Sequence, residues 1–257
     1  MKRIAAIIFL LALVALTGCG TTESFSQNDV LSRSIEAIED LESYSIDMDM
    51  AVNMMEMETN MTFKGDVTHN PDAMHLTMSM GMSGMAMDFE VYSLDDMVYM
   101  SMLGEWIKVD AAEMGLDDLD QLNEEEMKKF LEFSDDFTMV EEDDVYILSL
   151  SGDEGNYSVL IEDYLKSGMG DFNDDPHVKE MLETVQINDF NLELYIEKGT
   201  YIQTKQIIYA DMVITEEGMS FPISISGTVD ISNVNGVESI ELPAEVLENA
   251  VEEDEVF

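Results

Sequence analysis

Apolar and polar residues change period along this chain, and each change marks the border of an element. Between residues 28 and 42, Val30, Leu31, Ile35, Ile38 and Leu41 recur at helical spacing, so the pattern predicts an amphipathic helix with Asn28 as its N-cap. From Tyr44 the period drops to two. Tyr44, Ile46, Met48, Met50, Val52 and Met54 alternate with polar positions such as Asp47, Asp49 and Asn53, the mark of a half-buried strand. After a turn placed at Glu56 to Asn60, Met61, Phe63 and Val67 keep the rule up to the breaker Asn70-Pro71-Asp72. Leu76, Met78, Met80 and Met82 follow, and Gly84 marks a hairpin into Met85, Met87, Phe89 and Val91. Val98, Met100 and Met102, then Trp106 to Val109 beyond Gly104, complete a predicted meander of antiparallel strands.

Helical spacing returns at Leu119, Leu122, Met127, Phe130 and Leu131, and again at Tyr157, Leu160, Ile161, Tyr164 and Leu165. A third stripe, Val178, Met181, Leu182 and Val185, begins after Pro176. Phe137 to Val140 and Val145 to Leu150 read as strands between these stretches, and long strands are predicted at Ile187 to Glu197, Tyr201 to Thr215 and Met219 to Ile231. The fold class is therefore α+β, a single domain over residues 28–250, with an acidic, solvated tail at 251–257.

The first residues carry a different signal. Lys2 and Arg3 precede an apolar run from Ile4 to Leu16, too short for a bilayer span of about 20 residues. Leu16-Thr17-Gly18-Cys19 then leads small residues into the only cysteine. This is the pattern of a bacterial lipoprotein signal: residues 1–18 are cut away, Cys19 takes a diacylglyceryl group, and 19–27 form a lipidated, polar tether. The expected location is the outer face of the cell membrane, held by lipid. A single cysteine also leaves no disulfide framework and no Cys-based zinc or iron-sulfur centre.

Charge then removes one class of partner. Asp and Glu number 56 against 11 Lys and Arg, giving a net charge of −45 at pH 7. Phosphate backbones are bound by basic groups, so nucleic acid is excluded as a partner. An anionic bilayer surface repels such a body as well, which makes the acyl anchor the means of holding it there.

Tyr99-Met100-Ser101-Met102-Leu103-Gly104-Glu105-Trp106-Ile107-Lys108-Val109 resembles the Tyr-to-Gly-x-Trp-x-Lys hairpin of LolA-like and LppX/LprG-like lipoproteins. Leu41 to Met50 is similar to the junction between first helix and first strand in that family. The resemblance covers nearly the whole chain after the signal, by element order. It implies a curved antiparallel sheet, an unclosed half-barrel, with helices across the concave face and an apolar cavity between them. It also implies binding of a lipid, a lipoprotein's acyl chains or a similar apolar ligand, as carrier or chaperone, or else a sensor of the cell envelope that contacts a regulatory protein.

The 23 methionines, concentrated in the first half, bear on the ligand. Methionine is not a favoured strand residue, so its repetition at alternate positions asks for a cause. Packing is one reading, since thioether chains fill irregular gaps. A deformable wall around an acyl chain is a second, and it selects Met48, Met50, Met61, Phe63, Met78, Met80, Met87, Phe89, Met100 and Trp106 as ligand-binding residues. A soft-metal or oxidant-buffering role is the third: Met78, Met80, Met82, Met85 and Met87, with His75 nearby, suit Cu(I). Alternate residues on one strand lie about 6.5 to 7 Å apart, so such a site needs ligands that converge across the hairpin around Met82 and Met85.

No enzyme signature is present, and no cofactor is expected. His69, His75 and His177 lack H-E-x-x-H spacing, and Gly81-Met82-Ser83-Gly84 has its second glycine one residue too soon for a nucleophile elbow. The acidic stretches Asp117 to Glu126 and Asp171 to Asp175 lack the EF-hand order and read as solvated surface, so no metal ligands are assigned.

Overall fold

The computed structural model describes residues 25–55, 57–82, 85–94, 96–102, 104–111, 128–152, 160, 184–216 and 218–252. Their strands are β1 (Ser43–Met54), β2 (Met57–His69), β3 (Asp72–Met82), β4 (Met85–Leu94), β5 (Met97–Met102) and β6 (Glu105–Asp110), then β7 (Thr138–Glu141), β8 (Val145–Gly152), β9 (Gln186–Glu197), β10 (Gln203–Glu216), β11 (Met219–Ser232) and β12 (Val251–Glu252). All twelve lie in one sheet, ordered β12-β6-β5-β4-β3-β2-β1-β11-β10-β9-β8-β7. β12 and β7 are its two ends, so the sheet is unclosed. Every pairing is antiparallel except β12 with β6.

Two meanders thus meet where β1 pairs with β11, from Ser45 opposite Ser232 to Met54 opposite Ile223. The match is dictated by parity: both strands carry apolar residues at alternate positions, and in this register those positions coincide. Glycine marks close approaches within the sheet. A Cβ on Gly65 of β2 would overlap the His75 carbonyl of β3, and one on Gly227 of β11 would stand 3.2 Å from Cγ2 of Ile208.

The N-terminal helix spans Gln27–Glu39, and its cap is Ser26 rather than Asn28. Ser26 and Asp29 form a capping box: the Asp29 amide donates to Ser26 Oγ at 3.2 Å, and the Ser26 amide donates to Asp29 Oδ2 at 2.9 Å. Asn28, one turn position inside, instead donates through Nδ2 to Ser134 Oγ at 3.2 Å. The helix stops before the predicted Glu42 because that residue's amide donates to Asn235 Oδ1 at 2.8 Å, which commits the chain to the extended entry of β1.

Val30, Leu31 and Ile35 of this helix pack with Leu148, Leu150, Leu192, Leu194, Ile196, Ile208 and Met212, the buried core over β8 to β10. Residues 128–132 are helical and add Phe130, whose ring meets Phe137 edge-on at 6.3 Å. A second, smaller core joins Tyr44, Val67, Met74, Val91 and Val98 at the end of the sheet where β1 begins. The other two predicted helical stretches lie almost entirely outside the described residues, although Leu160 is buried in the larger core. At the C-terminus a helix, Ala244–Asn249, leads into β12, and Lys108 Nζ pairs with Glu252 Oε1 at 2.7 Å. The expected solvated tail therefore begins with two residues that belong to the sheet.

Candidate functional site

In an antiparallel sheet, directly opposed residues project to the same side. That rule resolves the candidate wall into rows. Leu148, Leu194, Gln206, Val229, Met48, Phe63, Met78 and Phe89 are register partners from β8 to β4. Leu150, Leu192, Ile208, Gly227, Met50, Met61, Met80 and Met87 form the next row, and Ile231, Ile46, Gly65, Leu76, Val91, Met100 and Ile107 another. Nine of the ten predicted residues therefore share one face with the aliphatic core. Trp106 does not: it pairs with Ser101, one position out of step with Met100 and Ile107, and its ring lies 6.0 Å from Tyr92 on the opposite face.

Along that shared face, burial falls from one half to the other. The β8 to β10 residues are closed under the helix, while Met48, Met50, Met61, Phe63, Met78, Met80, Phe89 and Met100 are half-buried and Met87 is 45% exposed. The antiparallel order places the β1–β2, β3–β4 and β10–β11 turns at one end of the sheet. There Met54, Met55, Met57, Met85 and Met219 are exposed, continuing the methionine rows into a rim. Monomeric proteins rarely leave contiguous apolar surface of this kind without a use for it.

The opposite face is polar and cross-linked. Lys64 Nζ pairs with Asp47 Oδ2 at 2.7 Å, and Lys205 Nζ with Asp230 Oδ1 at 3.2 Å. His75 stacks on Tyr92 with ring centroids 4.2 Å apart, and Glu90 Oε1 takes both the Tyr92 hydroxyl at 3.0 Å and His75 Nε2 at 2.9 Å. Burial, then the hydrogen bond to Glu90, pushes the Tyr92 phenol up to about 12. Pattern reading missed this cluster, yet His75 and Tyr92 fall between the apolar positions of β3 and β4, which is the signal for it. A groove of about 360 Å³ beside it is lined largely by polar-face residues, among them Thr62, Thr77, Ser79, Asp88 and Glu90.

Among the described residues, no three His, Cys, Asp or Glu side chains gather where they would hold a metal ion, and no helix is long and apolar enough to cross a membrane. Cys19 and the acidic stretches at 117–126 and 171–175 lie outside the described residues.

A family model described as a family of unknown function, DUF6612, matches residues 26–251. None of the curated proteins matches the chain. Among solved structures it is similar to the lipoprotein LppX of Mycobacterium tuberculosis, with 12% identity, a TM-score of 0.44, and coverage of 84% of this chain and 98% of that one. LprF of Mycobacterium bovis is similar at 15% identity and a TM-score of 0.47, over 85% and 97% of the two chains. A LolA superfamily protein of Nitrosomonas europaea is similar at 8% identity and a TM-score of 0.27, over 87% and 97%. These belong to the same group of proteins that the hairpin around Trp106 and the first helix-to-strand junction resemble.

Proposed function

Since the chain belongs to DUF6612, a family without an assigned function, its own residues must carry the reading, and we propose that it is a lipid-anchored envelope protein that binds an apolar ligand. The observation that supports this is the half-buried field of methionine and phenylalanine on β1 to β4, which continues the face of a closed core and stays partly exposed, with Met78 and Met100 resting against the smaller core. In this reading the sheet curves as a half-barrel, the N-terminal helix crosses its concave side, and Met48, Met50, Met61, Phe63, Met78, Met80, Met87, Phe89 and Met100 are the wall. Unbranched, polarisable side chains repack around acyl chains of differing shape, where Val or Ile would fix one outline. The protein performs no chemistry on its ligand.

Geometry adds an orientation. Phe25, six residues after Cys19, packs against Tyr146 and Tyr201 at 6.4 and 6.1 Å, at the end of the sheet where β1 and β10 begin. The methionine rim is at the other end, about 40 Å away along strands of twelve residues. An acyl group on Cys19 therefore turns the rim away from the bilayer, toward whatever delivers or receives the ligand.

The test is native mass spectrometry of the full chain purified from its own membranes. The expected result is a bound lipid mass that disappears in the Met61→Glu, Met80→Glu double variant; a ligand-free wild-type chain would overturn the reading. The anchor is tested apart from the ligand, because Cys19→Ala should move the protein from the membrane to the soluble fraction.

A further inference from the structure

The register that forms the wall also gives one row a composition that packing alone does not require. Met50, Met61, Met80 and Met87 are consecutive partners on β1, β2, β3 and β4, four thioethers side by side. The neighbouring row alternates methionine with phenylalanine, as Met48, Phe63, Met78 and Phe89. Toward the hairpin tips, Met82 opposes Met85, but the β2 partner of Met82 is Thr59, so the run of sulfur is interrupted. We propose that Met61, Met80 and Met87, with Met50 beside them, bind a soft monovalent cation, Cu(I) by its chemistry.

Spacing supports the assignment. Directly opposed Cβ atoms stand about 4.5 to 5.5 Å apart, against about 6.5 to 7 Å for alternate residues on one strand. Two more bonds carry each sulfur beyond its Cβ, so three adjacent side chains reach a common point above the middle strand. Neutral thioethers select a soft ion and discriminate against Ca²⁺, Mg²⁺ and Zn²⁺, which take carboxylate, carbonyl or imidazole ligands. His75, near in sequence, is no ligand here: it pairs with Asp66 and Tyr92 on the opposite face. Access is open from the Met87 side, and a chain with a net charge of −45 raises the local concentration of cations. The site stands on the register and is independent of whether a lipid also uses the wall.

Silver, an air-stable stand-in for Cu(I), is the probe. The full chain carrying Cys19→Ala, which removes the only thiol, is titrated with Ag(I) and followed by native mass spectrometry. One equivalent should be retained, bound at least tenfold more weakly after Met61→Leu, Met80→Leu and Met87→Leu together, and bound as before after Met54→Leu, Met55→Leu and Met57→Leu. Silver uptake and lipid retention are read separately on the parent chain, so silver bound without lipid, or lipid bound without silver, distinguishes failure of one proposal from failure of the other. Methionine-methyl NMR of the unaltered row removes any dependence on how the variants fold. Ag(I) should shift the Met50, Met61, Met80 and Met87 methyls and leave buried Met74 and Met212 in place. No stoichiometric uptake, equal uptake by the row variant, or shifts confined to the exposed rim would overturn the proposal.

Discussion

One face of one sheet is finished in two ways. Over β8 to β10 it carries Leu148, Leu150, Leu192, Leu194 and Ile196, at most 1% exposed, beneath Val30 and Leu31 of the N-terminal helix. Over β1 to β4 the same rows continue as methionine and phenylalanine, half-buried except for the exposed Met87. Side-chain parity is identical in the two halves, so the backbone does not make the difference. Cover and side-chain type do: the N-terminal helix closes the β8 to β10 half, where branched aliphatic residues interlock into a single packing, whereas thioether chains form a more adaptable surface.

Truncation in each half separates the two by the largest margin. Leu194→Ala should cost about 2 to 5 kcal/mol, since a closed core cannot collapse into the hole, and Met80→Ala should cost less than half as much. Chemical denaturation measures both; equal losses would mean that the methionine half is also a filled core. The volume-conserving Met61→Leu should fall below about 1.5 kcal/mol.

A smaller effect separates the halves by their cover. Ser26→Ala removes the side-chain half of the capping box and should cost about 1 kcal/mol. Amide exchange should rise in the helix and in β8 to β10, which the helix covers, while β2 and β3 remain unchanged. Uniform exchange over the sheet would contradict a cover confined to one half.

The Tyr92 cluster gives a pH-dependent version of the same contrast. Its phenol is raised in the folded chain from an ordinary value near 10 to about 12, so the neutral form is favoured by folding. Stability from this group is present in full below pH about 10 and is lost as pH rises toward about 12. Tyr92→Phe should flatten that decline in a melting series, and an unchanged decline would place its cause elsewhere. Smallest of all, Lys64→Met should leave the melting temperature within error, because the Lys64 and Asp47 side chains are 60% and 46% exposed and solvent screens the pair.

Much of this was legible from period alone. Alternation located β1 to β6 and β8 to β11 within a few residues, since a half-buried strand leaves an unambiguous two-residue signal. The β1–β11 junction was not, because nothing local specifies which distant strand completes an edge. Trp106 differs from the other nine: Ile107 and Val109 set the parity of β6 and leave the indole on the polar side. Asn28 was a plausible cap beside a better one, as Ser26 has Asp29 three residues on to complete the box. The short Ala244–Asn249 helix and β12 were hidden by acidic composition, and their place depends on an edge strand far away in sequence.

In the proposed function the methionine half of the shared face, and not the polar face behind it, receives an acyl chain. Photocrosslinking of the full chain with a diazirine-bearing phospholipid, mapped by peptide mass spectrometry, decides between the two faces. Adducts are expected on Met48, Met50, Met61, Met78, Met80 and Met87, with none on Thr77, Ser79 or Trp106. Adducts centred on the polar face, or an even scatter over both faces, would contradict it.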